Sequence, residues 1–193
     1  MSATRARREL ADDLGTKLAV VAGSTVALGA VVVWVGATYG VTGVVFAFAV
    51  NWLAMCWMGT AGRVLGPSLP ERYFEIRGFE RSGRLYEALG VRLVKRAVRR
   101  GPLHLFNPQL RMPAEPTSAR LHELEQRMRE PETGHAWLFA TMALVASHAA
   151  VHGWWPAAAW TMAFNVALNA YPIMLQRYNR RWLLERIERD QEP

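Results

Sequence analysis

Charged residues are missing from two long windows of this chain. No Asp, Glu, Lys or Arg occurs from Leu18 to Gly62 or from His135 to Gln176, so all 23 basic and all 16 acidic residues lie elsewhere. A charge at the centre of a bilayer costs roughly 2.5–3.5 kcal/mol, and membrane spans therefore exclude charge. Water-soluble domains rarely contain uncharged stretches of this length. The pattern argues against a soluble enzyme and against a disordered chain, although the averaged composition would suit a soluble basic protein.

Cysteine is nearly absent as well. The single Cys56 excludes an internal disulfide scaffold. The chain also lacks a Gly-rich phosphate loop, a Gly-x-Ser-x-Gly nucleophile motif and a paired-cysteine metal site, and the residues after His122-Glu123 do not complete a zinc-protease motif. The sequence therefore predicts no metal and no bound cofactor.

Each uncharged window is long enough for two membrane-spanning helices of about 20 residues. The first window breaks at Tyr39-Gly40. The second breaks before Pro156, which suits the first turn of a helix. The sequence predicts an all-α integral membrane protein with four transmembrane helices, arranged as two hairpins with a cytoplasmic helical segment between them. The predicted spans are Leu18–Thr38, Val41–Ala61, His135–Val151 and Trp155–Leu175.

The basic residues predict the orientation. They lie before the first span, between the hairpins and after the last span, and neither hairpin turn contains one. By the positive-inside rule, both termini and the central segment are cytoplasmic in a multi-pass protein of the cell membrane. Asp12, Asp13 and the length of the first apolar run favour a retained anchor over a cleaved signal peptide. The predicted regions are a cytoplasmic segment 1–17, hairpin 18–61, a basic cytoplasmic segment 62–134 with amphipathic helices, hairpin 135–175 and a basic tail 176–193.

The central segment has helical patterning. Apolar and basic residues alternate at helical spacing from Gly83 to Arg100, which predicts one amphipathic helix. This helix could lie among lipid headgroups or pack on the rest of the segment, and both interpretations stay open. Thr117 or Ser118 then caps a second helix that ends near Arg129, and Pro131 begins a new helix that continues into the third span. The topology explains the basic charge, so we expect membrane lipids rather than nucleic acid as partners.

Two polar clusters could support chemistry. Glu132 and His135 are three residues apart and share a helix face at the cytoplasmic end of the third span. A carboxylate beside an imidazole can orient the ring and make it a general base. Alternatively, Glu132 complements a helix N-terminus and His135 is an interfacial residue. The second cluster runs from Asn169 to Arg181 at the end of the fourth span and offers amide and guanidinium donors for a phosphate or an oxyanion. Alternatively, its basic residues are only the stop-transfer flank that follows a membrane span.

Several short strings occur in a fixed order along the chain. They are Pro70-x-x-Tyr73-Phe74, Phe79-Glu80-Arg81-x-Gly83-x-x-Tyr86, Leu89-Gly90-Val91-Arg92-x-x-Lys95, Glu132-x-x-His135, Asn169-x-Tyr171-Pro172 and Gln176-Arg177-Tyr178-Asn179-Arg180. This order resembles the glycosyl-4,4'-diaponeurosporenoate acyltransferase family, which comprises small membrane proteins of the staphyloxanthin pathway. The likeness extends from about Pro70 to Leu183.

The resemblance implies an O-acyltransferase of carotenoid biosynthesis. It would move a fatty acyl group to a sugar hydroxyl of a glycosylated terpenoid or a related glycolipid, and we expect acyl-CoA to be the donor. His135, oriented by Glu132, is the predicted catalytic base. The predicted substrate-binding residues are Asn179 and Gln176 for the oxyanion, Arg177 and Arg180 for donor phosphates, and Arg81, Glu80 and Asn169 elsewhere in the site.

A non-catalytic membrane subunit or scaffold is the alternative function. Its basic amphipathic segment would bind lipid headgroups or a partner membrane protein. Gly23, Gly29 and Gly36 would allow close helix packing with another chain, including a second copy of this one. On this interpretation Glu132 and His135 are interfacial residues only.

Overall fold

All regular structure in the described part of the chain is helical, as predicted. The computed structural model describes residues 3–100 and 117–191, with side chains over 13–98 and 117–190. The helices are α1 Ala3–Tyr39, α2 Val44–Leu65, α3 Glu71–Phe74, α4 Gly78–Arg81, α5 Arg84–Ala88, α6 Val91–Arg100, α7 Ser118–Val151, α8 Trp155–Asn165 and α9 Tyr171–Gln191, with a π-helical segment at Val166–Ala170 between α8 and α9.

Three helices are long and apolar enough to cross a membrane: Asp13–Tyr39 within α1, Val44–Leu65 and Ser118–Val151. They correspond to the first three predicted spans and support a membrane location. The fourth predicted span is not one uninterrupted α-helix, because α8 has only 11 residues and the π-helical segment separates it from α9. Three of the four predicted spans therefore coincide with helices that are long and apolar enough to cross a membrane, and the fourth stays a prediction.

Two predicted helix boundaries in the central segment are wrong. The single helix expected from Gly83 to Arg100 is divided into α5 and α6 at Gly90, whose φ of 77° lies in the left-handed region that favours glycine. The break expected near Pro131 does not occur, because α7 continues through this proline. A proline removes one backbone hydrogen bond of a helix; here Glu125 and Glu132, on either side of Pro131, both pair with Arg180 of α9, so the two sides are attached to the same neighbouring side chain.

The chain forms two compact units. Unit 1 comprises α1, α2, the part of α7 from Ala140 onwards, and α8. Within it α1 packs on α2, and α2 packs on α8. Trp57 Nε1 donates to Thr25 Oγ1 at 2.9 Å. Asn51 is fully buried, and its amide nitrogen donates to the carbonyl of Thr161 at 3.3 Å. Side-chain amides of this kind join helices inside apolar bundles.

Unit 2 comprises α3 to α6, the part of α7 up to Phe139, the π-helical segment and α9. Its apolar core lies between α7 and α9 and contains Leu121, Leu124, Met128, Leu183 and Ile187. The helix α9 also contacts α4, α5 and α6. Two tyrosines strengthen these contacts: Tyr171 donates to the carbonyl of Leu89 at 3.0 Å, and Tyr178 donates to Glu87 at 3.1 Å.

The turn before α5 generates the first testable prediction. Gly83 has a φ of 68°, and a Cβ atom there would lie 2.9 Å from Cζ of Arg181. We expect Gly83→Ala to destabilise unit 2 by about 1–2 kcal/mol, because a left-handed conformation is unfavourable for a residue with a Cβ atom. Thermal unfolding of the full-length protein in detergent measures the effect. Gly78→Ala is the matched control, since no atom lies within 4 Å of its Cβ position; equal effects of the two substitutions would contradict the prediction.

Candidate active site

Arg177 lies at the centre of the polar contacts in unit 2. Its Nε and Nη2 atoms donate to the two carboxylate oxygens of Glu80 at 2.6 and 2.7 Å. Nη1 donates to the carbonyl of Tyr73 at 2.8 Å and to Oε1 of Glu132 at 3.1 Å. Nη2 also donates to the carbonyl of Glu75 at 2.9 Å. Because a guanidinium group has five N–H donors, Arg177 has none left for a further ligand.

Glu80 is satisfied as completely as its partner. Besides the two bonds from Arg177, it accepts one from the backbone N–H of Arg77 at 2.8 Å and one from the hydroxyl of Tyr86. Burial alone would raise the pKa of Glu80, but the bonds from Arg177 and Tyr86 lower this pKa to about 2. Burial and the contact with Glu80 raise the pKa of Tyr86, so its hydroxyl remains a donor.

Arg180 repeats this arrangement one helical turn later. Its Nε donates to Glu125 at 2.8 Å, its Nη1 to Glu132 at 2.9 Å, and its Nη2 to the carbonyl of Phe74 at 2.7 Å. Glu125 also accepts from Nε of Arg129 at 2.9 Å. The side chain of Arg180 is only 1% exposed. At this degree of burial, an arginine is tolerated only because carboxylates compensate its charge.

Helical spacing explains why these charges meet. Arg177 and Arg180 are three residues apart on α9, and Glu125 and Glu132 are seven apart on α7, so each pair shares one face of its helix. The short helix α4 supplies Glu80. We call the side chains of Glu80, Glu125, Arg129, Glu132, Arg177 and Arg180 the Arg–Glu network. These six groups are three basic and three acidic side chains, and Arg129 also donates to the exposed Glu71 at 2.5 Å.

The predicted contact between Glu132 and His135 is not formed. Both carboxylate oxygens of Glu132 accept from the network arginines, and within the described residues no hydrogen bond joins it to His135. Two guanidinium groups provide charge-assisted hydrogen bonds, which are stronger than a bond from a neutral imidazole. Glu132 therefore cannot orient the ring directly, and any effect it has on His135 passes through the position of α7.

His135 contacts Asn169 instead. Nδ1 of the ring lies 3.1 Å from Oδ1 of Asn169, whose side chain is fully buried in the π-helical segment. An amide oxygen can only accept a hydrogen bond, so the contact places the ring proton on Nδ1. Nε2 then keeps its lone pair and can accept a proton from a hydroxyl. Short π-helical segments are frequent at functional sites because they change which residues face a neighbouring helix.

The other predicted binding residues have different surroundings. Gln176 is buried, and within the described residues its Oε1 has no hydrogen-bond partner. Asn179 accepts a hydrogen bond from Nζ of Lys95 at 2.7 Å through its Oδ1, which leaves its amide nitrogen as a donor. Arg81 has an exposed side chain, and its carbonyl accepts from Arg181 at 2.7 Å. Arg81 belongs neither to the Arg–Glu network nor to the contact between His135 and Asn169.

Sequence reasoning missed Glu125, Arg129 and Tyr86. A signal for the first two was present, since Glu125 precedes Glu132 by two helical turns and Arg129 follows Glu125 by one. Nothing in the sequence indicated that Tyr86 would contact Glu80. Within residues 3–100 and 117–191, no group of three or more His, Cys, Asp or Glu side chains is placed to hold a metal ion.

Two adjoining open clefts lie beside the network. The larger, of about 460 Å³, is lined by Leu69, Pro70, Arg72, Tyr73, Glu75 and Arg77. The smaller, of about 190 Å³, is lined by Tyr73, Arg77, Phe79, Glu80 and Arg177. Both are lined in part by Tyr73 and Arg77, and we refer to the two together as the Arg72/Arg77 cleft.

Comparison with known proteins gives one match. A family model described as glycosyl-4,4'-diaponeurosporenoate acyltransferase matches residues 70–189, which is more than half of the chain. No curated protein and no solved structure matches. The matched range contains the Arg–Glu network, His135, Asn169 and nearly all residues that line the cleft.

The occupied donors of Arg177 lead to a stability prediction. We expect Arg177→Lys to lower the free energy of unfolding by at least about 2 kcal/mol, because a lysine keeps the charge but cannot span the two oxygens of Glu80 and the neighbouring carbonyls. Denaturant titration of the purified full-length protein in detergent measures this. The matched control is Arg186→Lys, because Arg186 pairs with Asp190 on the exposed face of the same helix and should change stability by less than about 0.5 kcal/mol. A similar small change for both substitutions would show that the buried contacts of Arg177 contribute little.

The lowered pKa of Glu80 predicts a dependence of stability on pH. Its carboxyl has a pKa of about 2 in the fold against 4.5 ordinarily, so ionised Glu80 stabilises the fold fully above about pH 4.5. This contribution is lost as the pH falls from 4.5 towards 2. The difference in unfolding temperature between the wild type and Glu80→Gln should therefore shrink between about pH 5 and pH 3. A difference that stays constant over this range contradicts the assignment.

Proposed function

Because the chain belongs to the glycosyl-4,4'-diaponeurosporenoate acyltransferase family, we propose that it transfers a fatty acyl group from acyl-CoA to a sugar hydroxyl. The acceptor in this proposal is a glycosylated terpenoid or a related glycolipid in the membrane. The family membership supports the acyl-transfer reaction. The three apolar helices support the membrane location, where such an acceptor would reside.

The contact between His135 and Asn169 carries the mechanistic part of the proposal. It leaves Nε2 of His135 as a proton acceptor on a half-buried imidazole. General base catalysis by a positioned histidine typically contributes a factor of about 10²–10⁴ to a rate. We assign the base to His135 and the orienting role to Asn169, and we treat Glu132 as a positioning residue that acts through α7.

The proposed reaction then has two steps. Nε2 of His135 removes the proton from the sugar hydroxyl as the hydroxyl oxygen attacks the thioester carbonyl carbon, which forms the new C–O bond. The tetrahedral intermediate expels the thiolate of coenzyme A by breaking the C–S bond, and the thiolate takes the proton back from His135. Protons and electron pairs balance without a metal or a redox partner.

Two amides are the proposed donors to the negatively charged oxygen of the intermediate. Gln176 is buried and would donate through its amide nitrogen. The amide of Asn179 is held through its oxygen by Lys95, which leaves its nitrogen as a donor. Hydrogen-bond donors that point at a developing oxyanion usually contribute a large part of the rate enhancement in acyl transfer. The sequence predicted that Arg177 and Arg180 bind the phosphates of acyl-CoA. They are poorly suited to this role, because their N–H groups already donate to carboxylates and carbonyls.

The topology in this proposal follows the distribution of basic residues. Residues 155–175 form the fourth span, and both termini and residues 62–134 lie on the cytoplasmic side. A donor that is made in the cytoplasm would then reach His135 and the cluster from Asn169 to Arg181 without crossing the membrane.

Acyl transfer in isolated membranes tests the function. Labelled acyl-CoA and total host lipid are supplied to membranes that contain equal amounts of the wild type, His135→Ala or His122→Ala. We expect the wild type and His122→Ala to produce a labelled glycolipid, and His135→Ala to be slower by a factor of about 100 or more. His122 is the matched control because it is an exposed histidine on the same helix. Absence of product with the wild type contradicts the enzyme and favours the scaffold alternative, whereas full activity of His135→Ala excludes His135 as the base.

The same assay tests the role of Asn169. We expect Asn169→Ala to lower kcat by about tenfold with little change in KM, because substrate binding does not depend on the orientation of the ring. In a His135→Ala background, Asn169→Ala should have no further effect, since residues that act as a unit are not additive. If Asn169→Ala lowers kcat by the same factor in the His135→Ala background as in the wild type, Asn169 does not act by orienting His135.

A further inference from the structure

The Arg72/Arg77 cleft combines unpaired cations with apolar walls. Arg72 and Arg77 are exposed, and within the described residues neither forms an ion pair. Leu69 and Pro70 line one part of the cleft, and the exposed ring of Phe79 lines the other. In the adjacent Arg–Glu network every arginine is paired with a carboxylate, so the two cleft arginines stand out as cations that are open to a ligand.

Tyr73 adds a neutral hydrogen-bond donor to this surface. Its side chain lines both clefts, and its hydroxyl has no hydrogen-bond partner within the described residues. Burial raises the pKa of Tyr73, so the hydroxyl keeps its proton at neutral pH. The carbonyl of Tyr73 accepts from Arg177, which fixes the backbone between the two arginines.

We propose that the Arg72/Arg77 cleft binds a phosphate ester that carries an apolar or aromatic group. Arg72 and Arg77 would contact phosphate oxygens, the Tyr73 hydroxyl would donate to the same anion, and Leu69 and Phe79 would contact the attached group. Arginine suits this chemistry because its planar donors match the oxygens of a phosphate. Two sources provide such a ligand: the nucleotide part of the acyl-CoA donor, which rests on the proposed function, and the headgroup of an anionic phospholipid.

The carboxylate of Glu75 should weaken the binding of an anion in this cleft, so removing it should have the opposite effect to removing an arginine. Its carboxylate lines the same cleft and forms no ion pair within the described residues, so the lining residues Arg72, Arg77 and Glu75 carry a net charge of only +1. Removing a like charge next to a bound anion strengthens binding, whereas removing a cation weakens it. Substitutions at these three positions therefore have opposite expected signs.

Direct binding to the full-length protein in phosphatidylcholine nanodiscs tests the proposal. One arm titrates free coenzyme A, which cannot be turned over, and the other titrates short-chain phosphatidylglycerol. In the arm that binds, Arg72→Gln and Arg77→Gln should each raise Kd by about tenfold, which corresponds to the loss of one charge-assisted contact. Glu75→Gln should lower Kd by up to about fivefold. Arg84→Gln is the matched control, because Arg84 is an exposed arginine of unit 2 outside the cleft.

The two arms identify the source of the phosphate. Binding of coenzyme A with this pattern of variants supports the cleft and assigns it to the donor. Binding of phosphatidylglycerol alone, with the same pattern, supports the cleft and assigns it to a lipid headgroup. If neither probe binds, or if Arg84→Gln weakens binding as much as Arg72→Gln and Arg77→Gln, the proposal is overturned. Unfolding temperatures that match the wild type show that the exposed substitutions leave the fold intact.

Binding and turnover can fail separately. Variant-dependent binding of coenzyme A without acyl transfer in membranes would retain the cleft and remove the proposed reaction. Acyl transfer without binding of either probe would retain the reaction and remove the cleft.

Discussion

Arg177 and Glu80 form a bidentate ion pair between residues that lie 97 positions apart in the chain. Both side chains are nearly inaccessible, so each would lose hydration without compensation if the other were absent. The pair joins α9 to α4, a helix of only four residues that could not be stable by itself. The carbonyls of Tyr73, Phe74 and Glu75 also accept from the two network arginines. The short helices α3 and α4 are therefore held to α9 by its two arginines, whereas α5 and α6 contact α9 through Tyr171, Tyr178 and Asn179.

The Arg–Glu network accounts for many of the residues that carry the family resemblance. Most residues in the shared strings build the Arg–Glu network or join α9 to the short helices, so much of the resemblance describes a fold. Lys95 and Asn179 form one such link, and Tyr171 and the carbonyl of Leu89 form another. Fewer residues remain for the proposed chemistry: His135 with its partner Asn169, Gln176, and the amide nitrogen of Asn179. A set of buried ion pairs beside a half-buried imidazole suits the proposed reaction, because catalytic groups must be held in place.

The helical class and the three long apolar helices could be predicted because they depend on the composition along the chain, in which charged residues are absent from two apolar windows. The partners of Glu132 could not be predicted from spacing. The spacing of three residues suggested that Glu132 would contact His135. Instead, Arg177 and Arg180, which lie 45 and 48 positions away in the sequence, bind its two carboxylate oxygens. Similarly, Pro131 locally predicts a helix start, but α7 continues through it, and the pairs of Glu125 and Glu132 with Arg180 depend on residues far away in the sequence. The Arg72/Arg77 cleft could not be predicted from the sequence, because it depends on which arginines remain without an ion-pair partner after folding.

The central claim is that the Arg177–Glu80 pair holds unit 2 together. A double-mutant cycle with Arg177→Met and Glu80→Leu in the full-length protein tests it most directly, with the free energy of unfolding in detergent as the readout. Each single substitution leaves one buried charge without its partner, whereas the double substitution removes both. The account predicts that the double variant is less destabilised than the sum of the two single variants by at least about 1 kcal/mol. Additive losses would contradict it.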